Sequence, residues 1–155
     1  MARGAGPARL SPDSQYIAFR SDVTGKWQLW ILPVSGGQAQ QLTFGNGITF
    51  FEWLPANESG TDQVPQLIYG ADNDGNEQES YFLIQADGRQ EAEILSASQG
   101  GFRVFGGFNA DGSQMSYAST ERNGLDFDIY MKSLSGGEDT KPRLVYEATY
   151  GNFVA

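Results

Sequence analysis

The segment ADNDGNE, which ends at Glu77, carries the side chains with the clearest metal-binding chemistry in this sequence. Asp72, Asp74 and Asn76 alternate along the chain, which is how a calcium loop spaces its first oxygen ligands. Such a loop also requires glycine at its sixth position and glutamate at its twelfth. Because Glu77 and Leu83 hold those positions here, we expect a hairpin turn with acidic flanks and no bound metal or other cofactor.

Nucleophilic catalysis lacks its usual components. The 155 residues include no histidine and no cysteine, which excludes a Ser-His-Asp triad, a thiol nucleophile and a thiolate metal site within this sequence. No G-x-S-x-G pattern occurs, and we assign no catalytic residue. Asp72 and Glu77 could act as acid and base, but only their proximity favours this. Arg103 and Arg122 could bind a substrate carboxylate, although we expect them to be solvated surface arginines.

The composition indicates a folded chain with many turns, because 39% of the residues are apolar and 20 are glycine. The formal net charge of −9 would repel a nucleic-acid backbone and an anionic membrane surface, so we expect neither as a partner. No stretch approaches the roughly 18 apolar residues of a membrane span, and the N-terminal segment lacks the apolar region of a secretory signal. These features favour a cytoplasmic location and leave a periplasmic or secreted one open.

The sequence contains three copies of one unit. Aromatic residues in one predicted strand of each copy recur at intervals of 50 and 48 residues: Phe19, Tyr69 and Tyr117. Aromatic residues in the next strand recur at intervals of 52 and 48: Trp30, Phe82 and Tyr130. Apolar residues in a last strand recur at intervals of 52 and 50: Leu42, Ile94 and Leu144. Self-similarity of this kind indicates a repeat architecture.

Each copy has the pattern strand, turn, strand, turn, strand, and the second and third copies follow one more strand, ITFFEW and FRVFGGF. Four strands in roughly 40–50 residues are typical of a propeller blade. We therefore predict an all-β fold, a partial β-propeller of about three four-stranded antiparallel blades. The blades approximate to residues 8–45, 48–97 and 102–148, with the start of a further blade at 149–155, in a single partial domain, 1–155. Before the first copy, MARGAGPAR lacks an aromatic strand.

Turn and strand patterns support this prediction. Hairpin turns that need positive φ explain a set of glycines with a structural role: Gly25, Gly75, Gly124, Gly36, Gly88 and Gly136. In the first copy, Leu29 and Ile31 point to one side of the strand, and Trp30 and Leu32 point to the other. Both faces are apolar, as in a blade packed between two neighbours, while a β-sandwich with irregular strands is the alternative.

Six aromatic residues fall on the predicted innermost strands: Phe50, Phe51, Trp53, Phe102, Phe105 and Phe108. They could line a central channel that admits extended peptides. Packing between blades is the favoured interpretation, because aromatic side chains dominate core energetics in any fold.

The segments LSPDSQYIAF, YGADNDGNEQESYFLI and RNGLDFDIYMKSLSGG resemble the N-terminal propeller of the prolyl oligopeptidase family of serine peptidases. More loosely, they resemble the six-bladed propeller of the periplasmic Tol-system protein. The likeness runs from Ala8 to Ala155. The first repeat departs from the pattern at Ser14, where the family usually has glycine, and the second has the apparent loop insertion LPANESGTDQVP. The glycosylation triplet Asn57 to Ser59 lies in that insertion and indicates an exposed loop more than a glycan site.

In that family the catalytic residues lie in a separate α/β-hydrolase domain, usually after the propeller, around a G-x-S-x-G elbow. The resemblance implies a non-catalytic propeller segment that gates access of peptides to a catalytic domain absent from this sequence. Its partners would be that hydrolase domain of the same parent chain and, through the parent, peptides. The chain alone is not expected to be an enzyme, whereas the parent would be a serine peptidase. The alternative is a Tol-like propeller that binds proteins and has no enzymatic activity.

Overall fold

The computed structural model describes residues 4–56, 63–73, 75–97 and 101–149. Consecutive strands form three four-stranded antiparallel sheets, which we call blades. Blade 1 contains β1 (Arg9–Leu10), β2 (Tyr16–Ser21), β3 (Gln28–Pro33) and β4 (Gln40–Gln41). Blade 2 contains β5 (Phe50–Trp53), β6 (Gln66–Ala71), β7 (Ser80–Gln85) and β8 (Ala92–Leu95). Blade 3 contains β9 (Arg103–Phe108), β10 (Gln114–Ser119), β11 (Asp128–Ser133) and β12 (Arg143–Tyr146). A short 3-10 helix, Gly137–Asp139, precedes β12.

The predicted fold class is confirmed, and the sheet register shows how the repeat is built. In each blade the two aromatic residues of the repeat are direct cross-strand partners: Phe19 with Trp30, Tyr69 with Phe82, and Tyr117 with Tyr130. The last two pairs stack, with ring centroids 5.1 and 5.3 Å apart. Paired aromatic residues on neighbouring strands stabilise a sheet. The three copies are therefore structurally equivalent units.

Blade 1 has four strands, as predicted. Its first strand has only two residues, Arg9 and Leu10, which pair with Ala18 and Ile17, and neither is aromatic. One detail of the sequence alignment is wrong, because Leu144 is not equivalent to Ile94. Phe82 pairs with Glu93 and Tyr130 pairs with Leu144, so Glu93 and Leu144 share a position. The segment before the fourth strand is three residues longer in blade 3 than in blade 2, and the alignment allowed for only two.

The core lies between the blades in two clusters. Junction A joins blades 1 and 2 and includes Ala18, Leu29, Ile31, Leu42, Trp53, Leu67, Tyr69 and Ile84. Junction B joins blades 2 and 3 and includes Ile68, Tyr81, Ile94, Leu95, Met115, Tyr117 and Tyr130. Blade 2 is covered on both faces because side chains alternate along its strands: Leu67 and Tyr69 enter junction A, and Ile68 enters junction B. Three sheets with two such junctions are incompatible with a two-sheet sandwich.

The turns place glycine in backbone conformations that other residues seldom adopt. Gly25, Gly75 and Gly124 have φ values of 99°, 78° and 75° in the hairpins between second and third strands. Gly36, Gly88 and Gly136, in the next turns, have values of 102°, 81° and 92°. Ser14 occupies the same left-handed region at φ 60°. The equivalent residue of blade 3 is Gly112, with φ 70°. Ser14 therefore adopts a backbone conformation that favours glycine, the residue usual at this position of the family pattern.

The blade ranges 8–45, 48–97 and 102–148 and the division of the whole chain into one partial domain stay predictions. Of the further blade expected at 149–155, the structure describes only Thr149. The glycosylation triplet at 57–59 and the ligand candidate Asp74 also lie outside the described residues.

Candidate functional site at the inner strands and blade junctions

The first strands of the three blades lie side by side. Each is an edge strand of its sheet. The indole Nε1 of Trp53 in β5 donates a hydrogen bond to the carbonyl of Arg9 in β1, at 3.0 Å. On the other side of β5, the ring of Phe50 stacks on that of Phe105 in β9, with centroids 5.2 Å apart. Adjacent first strands are expected where blades surround a central channel.

The six aromatic candidates for a channel lining occupy different environments. Phe50, Phe105 and Phe108 pack against the core of junction B, and Phe51 packs against that of junction A. Trp53 is buried within junction A. Phe102, by contrast, is 46% exposed. Most of the set therefore contributes to packing between blades, and Phe102 is the member most accessible to a ligand.

A pocket of about 150 Å³ opens at the inner edge between blades 1 and 2. Its lining combines aromatic and charged side chains: Pro7, Arg9, Arg20, Thr49, Phe50, Phe51 and Glu52. The guanidinium of Arg20 donates to the carbonyl of Thr49 and lies 5.4 Å from the ring of Trp27. The pocket therefore combines charges of both signs with aromatic rings.

Arg103 is buried, and our expectation of a solvated surface arginine is wrong. Its side chain is 4% exposed. The Nη1 atom donates to the carbonyls of Glu79 at 2.7 Å and Ser96 at 2.9 Å, and the Nη2 atom lies 3.3 Å from a carboxylate oxygen of Glu121. The guanidinium also lies 5.6 Å from the ring centroid of Tyr81 and 5.4 Å from that of Tyr117. Arg103 therefore joins blade 2 to blade 3.

Burial around Arg103 raises the pKa values of neighbouring tyrosine and glutamate side chains. Desolvation raises the pKa of Tyr81 and of Tyr117 well above the usual range of a phenol. Desolvation also raises the pKa of Glu79, against the opposing effects of Thr49 and Arg103. Shifted pKa values are common at functional sites but also accompany structural ion-pair networks. Here both terminal nitrogens of the arginine bond to other segments, while its buried Nε has no hydrogen-bond partner, and the contacts join two blades, so we interpret the network as structural.

Arg122 is likewise not a freely solvated arginine. Its Nε lies 2.6 Å from one carboxylate oxygen of Asp128 and its Nη2 lies 3.0 Å from the other. Nη2 also donates to the carbonyl of Ala148 at 2.9 Å, and Nη1 lies 3.4 Å from Glu147. Asp128 has no exposed side-chain area, and the hydrogen bond from Arg122 holds its pKa below the usual value. The motif RNGLDFDIY thus encodes a bidentate ion pair.

This ion pair elaborates a feature that all three blades share at the start of the third strand. The carboxylate of Asp128 accepts a hydrogen bond from the amide of Ala148 at 2.8 Å. In blade 2, Ser80 accepts from the amide of Ala97 at 2.9 Å, and in blade 1 Gln28 donates to the carbonyl of Gly45 at 3.0 Å. In each case, a polar side chain anchors the segment that follows the fourth strand. Sequence reasoning missed it because the residue type differs in every copy.

The acidic segment ADNDGNE forms the hairpin turn between β6 and β7. The carboxylate of Asp72 accepts hydrogen bonds from the amides of Gly75, at 3.2 Å, and Glu77, at 3.3 Å. Asn76 Oδ1 accepts from the amide of Gln78 at 3.0 Å. These oxygens are therefore occupied in stabilising the turn. Within 4–56, 63–73, 75–97 and 101–149, no three acidic side chains are grouped so that they could hold a metal ion.

Three four-stranded blades that pack against each other at two junctions define a partial β-propeller. The described residues form no α/β-hydrolase fold. No helix in this part is long and apolar enough to cross a membrane. No family model matches the sequence.

Two proteins resemble the chain in sequence. A Streptomyces coelicolor protein described as a homolog of tricorn protease is 39% identical over 62 residues, which are 39% of this chain and 5% of the relative. An uncharacterized protein of Agrobacterium fabrum is 33% identical over 70 residues, 45% of this chain and 22% of the relative. The chain therefore matches only a small part of the length of either relative.

Solved structures show the same fold. A protein assigned as TolB from Agrobacterium tumefaciens superposes with a TM-score of 0.63 and 18% identity, over 92% of this chain and 46% of that one. A prolyl endopeptidase gives 0.63 with 12% identity, over 94% of this chain and 22% of that one. An acylaminoacyl peptidase gives 0.58 with 17% identity, over 92% and 25%. The resemblance to the propellers of such peptidases and of TolB is confirmed at the level of the fold.

Proposed function

We propose that this chain is a non-catalytic segment of the propeller of a prolyl oligopeptidase-like serine peptidase. In the parent protein it would control the access of peptides to an α/β-hydrolase domain that carries the nucleophile. The observation that carries the proposal is the 39% identity to the tricorn protease homolog, which adds a sequence link to a fold shared with two peptidases. The lack of histidine supports it, since the general base of a triad must then come from elsewhere.

The mechanism is steric. Blades joined by aromatic junctions form a stiff wall, because packing between blades leaves little freedom for them to separate. A narrow opening bounded by first strands would admit an extended peptide and exclude a folded protein. The exposed ring of Phe102 and the charged pocket beside Arg9 and Glu52 would contact the peptide as it passes. These side chains supply binding and orientation, and the chemistry belongs to the hydrolase domain.

Activity measurements test this proposal. The purified 155-residue chain should hydrolyse neither peptide nor ester substrates. The full parent protein should cleave short peptides, lose that activity to a serine-directed inhibitor, and leave the same cleavage sequence intact inside a folded carrier protein. Inhibitor-sensitive turnover by the chain alone would contradict the proposal. Equal cleavage of the short peptide and the folded carrier would contradict the gating role.

A protein-binding propeller is the second candidate. The TolB superposition, with a TM-score of 0.63 over 92% of this chain, favours it because that protein matches the fold as well as the prolyl endopeptidase does. In this case the parent would lack a hydrolase domain, and its full-length form would be inactive towards every peptide tested.

A further inference from the structure

Two arginines of blade 1 line the pocket of about 150 Å³ at the inner edge, which we call the arginine pocket. Arg9 in β1 pairs across the sheet with Ala18 in β2, and Arg20 stands two positions after Ala18. Side chains two positions apart on a strand share a face. Arg9 and Arg20 are therefore diagonal neighbours, a placement of roughly 7–8 Å that long side chains can bridge. Because Ala18 is buried in junction A, this face is directed toward blade 2.

Neither arginine has a carboxylate partner within the described part of the chain, where three other arginines form ion pairs. Nη1 of Arg9 reaches only the carbonyl of the adjacent Ala8, at 3.4 Å. Nη1 of Arg20 donates to the carbonyl of Thr49, which leaves its Nε and Nη2 for a further acceptor. Like charges that are neighbours on one sheet face repel each other. In a chain with 19 acidic and 10 basic residues, this pair is suited to an external anion.

Both arginines are held in place before any ligand binds. The carbonyl of Arg9 accepts the indole hydrogen bond of Trp53 at 3.0 Å, so β1 is fixed to blade 2 beside the pocket. The guanidinium of Arg20 is fixed by the carbonyl of Thr49 and lies 5.4 Å from the ring of Trp27. Donors that are already positioned lose less conformational freedom on binding. The arginine pocket is therefore a preorganised site.

The other residues of the pocket limit the kind of anion. A guanidinium donates two parallel hydrogen bonds to a carboxylate or a phosphate. Glu52 also lines the pocket and is exposed, so its charge would repel a dianion more strongly than a single carboxylate. Phe50 and Phe51 supply apolar surface beside the arginines. Pockets for whole drug-sized ligands usually have volumes of roughly 300–1,000 Å³, so this smaller pocket suits one acidic or terminal residue of a longer ligand.

We propose that Arg9 and Arg20 bind a carboxylate group of a peptide, either at its C terminus or in an acidic side chain. The choice of a peptide as the ligand rests on the proposed function. The pocket opens beside the first strands β1 and β5, where a peptide would enter a central channel. Arg103 and Arg122, which we considered for this role from the sequence, are instead engaged within the fold.

NMR titrations of the 155-residue chain with three peptides test the proposal. The probes are acetyl-Ala-Ala-Phe with a free carboxylate, its C-terminal amide, and acetyl-Ala-Glu-Phe amide, whose only carboxylate is in a side chain. The indole signals of Trp27 and Trp53 should shift, because these residues contact Arg20 and Arg9. The signal of Trp30 should stay unchanged, since Trp30 lies on the opposite side of β3 from the residues that enter junction A.

The peptide series identifies the source of the carboxylate. At least one of the two acidic peptides should bind about tenfold more tightly than the neutral amide, because a charged acceptor strengthens hydrogen bonds to a guanidinium. Tighter binding of the free acid would assign the pocket to a C terminus, and tighter binding of the glutamate peptide would assign it to an acidic side chain. Either result supports the proposal.

Two substitutions at exposed positions test the pocket residues without removing a buried contact. Arg9→Gln should weaken binding of the preferred acidic peptide by about tenfold. Glu52→Gln should strengthen it by about threefold, because the repulsion of the carboxylate is removed. The matched control is Arg143→Gln, which changes the net charge equally at an exposed arginine of β12, outside the pocket; it should leave the affinity unchanged. Circular dichroism spectra should match for all variants.

Three results would overturn the proposal. One is equal binding of the acidic peptides and the neutral amide. Another is a loss of affinity in Arg9→Gln no larger than that in Arg143→Gln. The third is displacement of the peptide by inorganic phosphate at an equal concentration, which would indicate a general anion site.

These titrations do not depend on catalysis, so the two proposals can fail separately. If the acidic peptides bind selectively but the parent protein is inactive, the peptidase function is wrong and the carboxylate pocket is retained. If the parent cleaves peptides but the acidic probes show no preference for the arginine pocket, only the pocket proposal is wrong.

Discussion

The guanidinium of Arg103 lies over the ring of Tyr117, with its central carbon 5.4 Å from the ring centroid. Arg103 belongs to β9 and Tyr117 to β10, and the same guanidinium reaches two carbonyl groups of blade 2. A buried cation is costly unless hydrogen bonds and neighbouring charges compensate it. The arginine therefore fixes blade 3 against blade 2, which is a structural role.

Removing this cation should destabilise the chain strongly. We expect Arg103→Met to lower the free energy of unfolding by roughly 3–5 kcal/mol, because it leaves the buried carbonyl groups of Glu79 and Ser96 without their donor. Arg89→Met is the matched control: the Arg89 side chain is 82% exposed, and its loss should change the free energy by less than about 0.5 kcal/mol. Urea unfolding followed by tryptophan fluorescence measures both. Equal effects would show that Arg103 has no special structural role.

The pair of Arg122 and Asp128 should make stability depend on acid pH. Because the folded chain lowers the pKa of Asp128, the ionised carboxylate stabilises the fold above the unfolded value of about 3.9. This stabilisation is lost as the pH falls through the lower, folded pKa. Asp128→Asn should lower the free energy of unfolding by roughly 1.5–3 kcal/mol at neutral pH, and the difference from the unsubstituted chain should shrink in acid.

A control for this pair is Glu147→Gln. Glu147 contacts the same arginine at 3.4 Å, but its side chain is 58% exposed, so its contribution should stay within about 0.5 kcal/mol. Unfolding curves recorded at several pH values would compare the two variants. A pH-independent loss in Asp128→Asn would mean that packing, and not the carboxylate charge, explains its effect.

Two phenylalanines from the predicted channel lining should respond differently to truncation. The ring of Phe105 contacts those of Phe50, Tyr81 and Phe108, with centroids 5.2 to 6.2 Å apart. We expect Phe105→Ala to cost roughly 3–5 kcal/mol, as is usual for a packed phenylalanine. Phe102→Ala, at a side chain 46% exposed, should cost less than about 1 kcal/mol. A folded Phe105→Ala variant of unchanged stability would contradict the packing role.

Strain at Ser14 should be removable. Since Ser14 has φ 60° and the equivalent Gly112 has φ 70°, Ser14→Gly should raise the free energy of unfolding by about 1 kcal/mol. The reverse change, Gly112→Ser, should lower it by a similar amount. Gly112 is also close to Pro55, whose Cδ would lie 3.2 Å from an added Cβ. Thermal unfolding of the two variants measures the contrast, and a destabilised Ser14→Gly chain would show that the serine hydroxyl matters more than φ.

The fold was accessible from the sequence because repetition carries information that single positions lack. The aromatic pairs such as Tyr69 with Phe82 recur in all three copies, so an accidental match in one copy did not matter. The sequence was less informative where a copy was short or had a different length. β1 has two residues and produces no alternating pattern. The longer segment before β12 shifted the assignment of Leu144 by one residue, because Leu144 is apolar like Ile94 although it pairs as Glu93 does.

The site was less accessible, because burial decides the role of a charged side chain and depends on distant segments. Arg103 lies beside apolar residues in FRVFGGF, and its location on a predicted inner strand could have indicated burial. Its partners, however, come from Glu79, Ser96 and Glu121 in other turns, which no local pattern predicts. The ion pair of Arg122 and Asp128 was more accessible to sequence reasoning, because the two residues are only six positions apart in one hairpin.

The central claim is that this propeller segment belongs to a serine peptidase, and the reading frame that continues past the codon for Ala155 tests it most directly. We expect further blades followed by a G-x-S-x-G elbow with a later Asp and His, the chain order of an α/β-hydrolase. A frame that ends after further propeller repeats, without that pattern, would contradict the claim and assign the chain to a protein-binding propeller.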